Sequence, residues 1–383
     1  MTPAEEAIRA EIARRGPIPF ADFMALALGH PGGGYYTAAA ARPTRGGDFL
    51  TAPELHPVFG AALARQAEEA WERLGQPEPF TLLEYGAGAG TLALALLAGL
   101  RADASPLAGV LAYAPVELNA HRLAELRAGA GAADLPLLDP AALDAAPAAG
   151  IVVANEFLDA LPAHVVEIHG GRPREVHVRT GCDGAFEEVP GELSGPAVAE
   201  RLAALDAGGV ELAEGQRLEV RPAVGAWAAE VGRRLAAGLV LVLDYGAPAA
   251  GLYGARRRAG TLMTYRGHVA DGSSDAPYHD IGERDITAHV DTTALAAALA
   301  AAGLDLLGET SQAELLVGCG LEELLARRQA AVASVAEALE LRSAVMRLLD
   351  PRHLGGFRAV LAGRGIAPDP PLRGLAFRTP RRR

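Results

Sequence analysis

The sequence predicts an α/β fold: a parallel sheet with helices on both faces, an N-terminal helical segment and an inserted β-rich piece. Three observations carry this. From residue 80 onward, short apolar runs alternate with helical runs, as strands buried on both faces of a sheet require. The first run, FTLLEYG, ends in a glycine-rich turn that leads directly into a helical pattern. Between 163 and 220 the alternation pauses and period-two runs replace it.

Taken in order, residues 1–30 read as two helices. AEEAIRAEIARRG stops at Gly16, and FADFMALALGH starts after Pro19. PGGGYYTAAAARPTRGGDFLTAPELHP (31–57) is a loop, and a helix follows over roughly 57–75 with Phe59, Leu63 and Trp71 on apolar spacings. FTLLEYG and LAYAPVEL are strands, each followed by a helix, TLALALLAGLRAD and NAHRLAELRAG. LPLLD is a short strand and GIVVANEF a longer, buried one. AHVVEIHGGRPREVHVRT is a hairpin turning at Gly170-Gly171. Residues 181–220 stay polar and glycine-rich, with LEV near the end. A helix over 223–237 and the strand LVLVLDYG resume the core. A long loop, 247–290, precedes a helix from about 292, strands near 304–317 and a helical C-terminal part. The expected domains are a helical, cofactor-covering segment (1–79), a core (80–162 and 221–383) and a β-rich, substrate-side insertion (163–220).

At 383 residues the chain suits two domains or one elaborated domain, at roughly 100–200 residues each. All 35 Lys+Arg residues are Arg and alanine is abundant, which reads as coding bias. The net charge of −12 argues against a broad grip on nucleic acid. The N-terminus lacks the apolar core of a signal peptide, and no run of about 18 apolar residues suggests a membrane span. Cys182 and Cys319 form no CxxC pair, so no metal site or disulfide is expected. Two ordinary thiols fit a reducing, cytoplasmic setting.

The turn EYGAGAG admits three readings: a dinucleotide loop, another cofactor loop, or a tight turn alone. Gly86, Gly88 and Gly90 are spaced GxGxG, one short of G-x-G-x-x-G, and no GK[ST] follows. Glu84 stands two residues before the first glycine, where it would repel a pyrophosphate and suit a ligand carrying an ammonium group. S-adenosylmethionine is such a ligand. Glu117, 33 residues later at the end of the second strand, is placed for ribose hydroxyls, which NAD and S-adenosylmethionine both possess. Asp139 after LPLLD suits either an adenine amino group or a helix N-cap before Pro140. The next strand ends in Asn155, Glu156 and Asp159, acceptor-rich side chains at the sheet's ligand-binding end.

These segments resemble a known family. GDFLTAPELHPVFG (47–60), LLEYGAGAGTLALALL (82–97), ANEFLDALPAHVVE (154–167), DYG (244–246) and DITAHVDTTAL (285–295) occur in this order, with ETSQAELLVGCGLEELL and LLDPRHLGGFRAVLAGRG later. Together they are similar to the MidA-type class I methyltransferases, which include a mitochondrial assembly factor that methylates an arginine. The resemblance spans nearly the whole chain. It implies a Rossmann-like seven-strand sheet that binds S-adenosyl-L-methionine through Glu84, Gly86, Gly88, Gly90 and Glu117, with Asn155 near the methionine end. It also places the segment holding Asp48, Thr51, Glu54 and His56 over the cofactor. Ala87 stands where such proteins commonly carry proline.

Methyl transfer from a sulfonium needs alignment and no metal. For a guanidinium acceptor, Glu156 and Asp159 are the candidate catalytic acids, three apart and on one face if the chain turns helical. For a hydroxyl, one base is enough, and His289 or His56 would serve. Thr51-Ala-Pro-Glu54 also reads as a capping box, and Asp291 as a helix cap. Tyr265, Arg266 and His268 are candidates for the acceptor cleft. The expected partners are a methyl acceptor, either a protein arginine or a small molecule, and a second copy of the chain in a homodimer. A small-molecule O- or N-methyltransferase, a non-catalytic assembly protein and an NAD-dependent dehydrogenase are the alternatives.

Overall fold

The computed structural model describes residues 1–38, 51–254, 257–267 and 269–377. Its main sheet has six strands, in the order Asp305–Ser311, Arg358–Arg364, Leu235–Asp244, Ala148–Asn155, Phe80–Tyr85, Leu111–Val116. The last four are mutually parallel, and Arg358–Arg364 runs antiparallel to both its neighbours. The expected strand LPLLD shrinks to one bridge, Leu137 beside Tyr113, at the seventh position of the sheet.

Because side chains alternate along a strand, each central strand feeds two cores. Leu82, Ile151, Val153, Leu239 and Leu241 pack with Phe59, Leu63, Leu92 and Leu96. Leu83, Tyr85, Val152, Val240 and Val242 pack on the other face with Trp227, Val231, Leu295 and Leu299. Fully burying a side chain of this size contributes about 1.5–3 kcal/mol. The helices Val58–Arg73 and Thr91–Ala102 approach closely because Gly60 lies against Ala95, where an added Cβ would come within 2.5 Å of the alanine Cβ.

A second, antiparallel sheet joins His164–His169, Arg172–Thr180, Phe186–Gly191 and Arg217–Val220 to the short N-terminal strand Ile18–Pro19. The helices Pro3–Arg15 and Phe20–Gly29 pack on it through Ile8, Phe20, Phe23 and Met24, against Val165, Val176 and Val178. Its other side is covered by the helix Pro196–Ala207, in a stretch that reads as polar loop. That helix places Val198 and Leu205 seven apart on one face.

Three further expectations need correction. The long loop 247–290 contains a small sheet, Met263–Arg266, Val269–Asp271 and Asp285–Thr287. Of 304–317, only Asp305–Ser311 is strand, since a capping box at Ser311 and Glu314 starts the helix Gln312–Gly318. The C-terminal part is not all helical, for Arg358–Arg364 enters the sheet. Among the described residues no helix is long and apolar enough to cross a membrane.

Candidate active site

One cavity of about 460 Å³ opens at the carboxyl ends of the strands Phe80–Tyr85, Leu111–Val116 and Ala148–Asn155. Its size falls within the roughly 300–1,000 Å³ of small-molecule sites. Gly86 and Gly88 line it and Gly90 does not. Both Gly88 and Gly90 have left-handed backbone, φ +55° and +79°. A Cβ at Gly90 would press on Leu126 at 3.0 Å, so this glycine serves packing. A Cβ at Gly88 would meet only the Arg122 guanidinium, at 4.0 Å, so its missing side chain leaves space on the cavity wall.

Glu84 lines the cavity and is only 5% exposed. The Tyr113 hydroxyl donates to its Oε2 at 2.6 Å. Burial, aided by the nearby Glu117, pushes its pKa up to about 8 against that hydrogen bond. A buried carboxyl in this state is matched by a cationic ligand. Glu117 accepts from the Gly88 N–H and the Asn119 N–H, both at 2.7 Å. Each oxygen keeps a lone pair for a further donor, as ribose hydroxyls would supply.

The opposite wall is acidic too. Asn155 donates through Nδ2 to Glu156 at 3.1 Å, while its Oδ1 is buried without a partner. Glu156 also accepts from the Ala52 N–H at 3.2 Å and holds a left-handed backbone, φ 50°. Such backbone in a non-glycine residue concentrates at functional sites. Burial, then the neighbouring Asp159 charge, pushes Glu156 up to about 8. Asp159 is 4% exposed and its Oδ1 has no hydrogen-bond partner. Burial outweighs the nearby Arg221 and raises its pKa to about 6. All three residues line the cavity. The chain does not turn helical after the strand, so it is an irregular turn that brings Glu156 and Asp159 together.

Thr51 and Glu54 also line the cavity. The expected capping box forms only in part. The Thr51 side chain caps no backbone N–H of the helix Ala52–Leu55, while the Glu54 carboxyl is hydrogen-bonded by Thr51 and lies 3.5 Å from Arg122. Burial raises the Glu54 pKa. Asp139 is exposed, caps the Ala141 N–H at 2.9 Å and stands off the cavity wall.

His289 is also off the wall. Burial and the guanidinium groups of Arg257 and Arg221 push its pKa down to about 4, and its Nδ1 lies 3.3 Å from Arg257. A ring so disposed is a weak base. His56 accepts from the Val58 N–H at 3.0 Å and faces a separate cavity with Arg328 and Glu340. Asp291 caps the helix Thr292–Ala301. Burial, then the nearby charges of Asp159 and Asp285, raise the Tyr265 pKa, whereas Arg266 is exposed and paired with Asp280 and Glu283. Asp48 and His268 lie outside the described residues.

Among the wall residues that sequence reading passed over are Tyr36, Arg122, Tyr245 and Asp285. The Tyr36 hydroxyl donates to Asp285 at 2.8 Å. Asp285 opens the DITAHVD block and Tyr245 sits in DYG, so the signal lay inside segments already marked.

A sheet of this order, with one antiparallel strand next to its edge and an acid-lined cavity at its carboxyl ends, is the arrangement expected of an S-adenosyl-L-methionine-dependent methyltransferase. A family model of that description matches residues 62–310, and the chain belongs to this family. A Burkholderia thailandensis protein solved bound to S-adenosyl-homocysteine is 35% identical, covers 98% of this chain and 95% of its own, and superposes with a TM-score of 0.83. The Drosophila melanogaster protein named protein arginine methyltransferase NDUFAF7 homolog, mitochondrial, is 28% identical over 315 residues, 74% of this chain and 67% of the relative. The Mus musculus protein arginine methyltransferase NDUFAF7 is 26% identical over 353 residues, 84% of this chain and 75% of the relative. The enzyme's cofactor is S-adenosyl-L-methionine.

Proposed function

We propose that the methyl acceptor is an arginine guanidinium of a protein, and that the cavity described above holds both cofactor and acceptor. The observation that carries this reading is the Asp159 carboxyl, buried at the cavity wall with an unpartnered oxygen beside Glu156. A guanidinium has five donors and no acceptor, which complements such a wall. The names of the Drosophila and mouse relatives support the same acceptor.

Glu84, Gly86, Gly88, Glu117 and Asn155 would hold the cofactor, with Thr51 and Glu54 beside it. Bound there, S-adenosyl-L-methionine supplies an electrophilic methyl group. Glu156 and Asp159 would orient one guanidinium nitrogen and receive the proton it sheds once methylated. Both begin partly protonated near neutral pH, and the arriving cation favours their ionised forms.

The test combines a panel of arginine-containing peptides with mass spectrometry of the products. Methylarginine formed by wild type, and lost in Glu156→Gln and Asp159→Asn while S-adenosyl-homocysteine still binds, is the expected result. Methylation of a small-molecule hydroxyl or amine with no methylarginine would replace this reading.

A further inference from the structure

The turn bearing Glu156 and Asp159 lies in neither helix nor strand. Two charged residues from distant parts of the chain grip it on opposite sides. Asp244, 2% exposed at the end of the strand Leu235–Asp244, takes the N–H side. Its Oδ2 accepts from the N–H groups of Phe157, Leu158 and Asp159 at 3.3, 2.9 and 3.2 Å. Arg221, directly after the strand Arg217–Val220, takes the carbonyl side. Its Nη2 donates to the carbonyls of Asp159 at 2.8 Å and Ala288 at 3.0 Å, its Nε to that of Leu161 at 2.8 Å, and its Nη1 to that of His289 at 3.4 Å.

We propose that Arg221 and Asp244 are positioning residues for methyl transfer: together they hold the turn so that Glu156 and Asp159 face the cavity. The proposal rests on the reading that these two acids receive the acceptor. An irregular turn must find outside partners for its buried backbone groups. Here they come from one carboxyl group, whose pKa burial and the neighbouring Asp159 raise well above the usual range, and one guanidinium. The planar fork of arginine reaches four carbonyls at once, which a lysine ammonium cannot do. Through Ala288 and His289, Arg221 also ties the turn to the segment that begins at Asp285 on the cavity wall. The second sheet, the Asp285 segment and the acid turn are therefore joined at one side chain.

The clamp also sets the local field. Among the described residues, the groups that interact electrostatically with Asp159 include Arg221, Asp244, Glu156 and the phenols of Tyr36, Tyr245 and Tyr265. Arg221 is the cation in that set. Without it, the Asp159 carboxyl should titrate at still higher pH.

The test uses full-length protein labelled with 13C at the aspartate carboxyls. The Asp159 resonance is assigned by its loss in Asp159→Asn and followed by NMR through a pH titration, which needs no acceptor. In Arg221→Met the Asp159 midpoint should rise by about one pH unit or more, a tenfold change in its proton affinity. The Kd for S-adenosyl-homocysteine should stay within about twofold. Turnover on an arginine peptide should fall at least tenfold in Arg221→Met and also in Arg221→Lys, which keeps the charge and loses the fork. An unmoved Asp159 midpoint in folded Arg221→Met would overturn the proposal, as would full turnover in Arg221→Lys. If Arg221→Met does not fold, Arg221→Lys carries the test. Undiminished turnover in Glu156→Gln and Asp159→Asn would instead refute the acid assignment, and the titration would still report on the clamp.

Discussion

Replacing Glu84 with glutamine tests why a carboxyl is buried at the glycine loop. Glutamine keeps the shape and an acceptor oxygen for the Tyr113 hydroxyl, so the fold should survive. The change removes the capacity to become an anion. Hydrogen bonds to charged groups contribute about 1.5–3 kcal/mol, so affinity for S-adenosyl-L-methionine should fall roughly ten- to a hundredfold. A second signature follows from the wild-type pKa of about 8. At pH 7 the carboxyl is about nine-tenths protonated, and pairing with a cation drives that proton off. Isothermal titration in buffers of different ionisation enthalpy should show the release of nearly one proton from wild type and much less from Glu84→Gln. Binding within twofold of wild type, with no proton release from either protein, would refute the reasoning.

Other consequences concern the rest of the molecule. Gly88→Val should abolish cofactor binding, because its side chain enters open cavity space, and left-handed backbone adds a stability cost of about 1–2 kcal/mol; calorimetry and a thermal melt read the two effects separately. Stability of the ligand-free protein should fall as pH rises from about 4.5 to 8. Folding raises the pKa of Glu84 and Glu156 from 4.5 to about 8, so the folded state binds their protons more tightly. That advantage is complete below the unfolded value and lost as pH passes through the folded one, and urea melts at pH 5 and pH 8 measure it. On an arginine peptide, wild-type kcat/KM should rise with pH on its acid side as Asp159, near 6, and Glu156, near 8, ionise, and a profile flat from about pH 5.5 to 8.5 would contradict that role. Gly60→Val should cost about 1–3 kcal/mol in urea melts, since Ala95 occupies the space its Cβ needs.

The central strands were legible because both their faces are buried, which leaves plain apolar runs such as GIVVA and LVLVL. Arg358–Arg364 was not. RAVLAGR mixes arginine, glycine and helix-favouring residues, and only its two antiparallel neighbours make it a strand. The helix Pro196–Ala207 was visible in principle from Pro196 at its first turn and the spacing of Val198 and Leu205, but the polar residues around it masked the pattern. In the site, acids at strand ends could be read from position alone. The surroundings of Asp139 and His289 could not, since a backbone N–H and two guanidinium groups from distant segments make them. Arg221 gave no signal at all, because its partners are carbonyls, which every residue has.

The most direct measurement is a crystal structure with S-adenosyl-homocysteine bound. The account predicts the ribose hydroxyls on Glu117, the amino group near Glu84, and the sulfur facing the wall of Asn155, Glu156 and Asp159. A ligand seated elsewhere, or with its sulfur turned away from those acids, would contradict it.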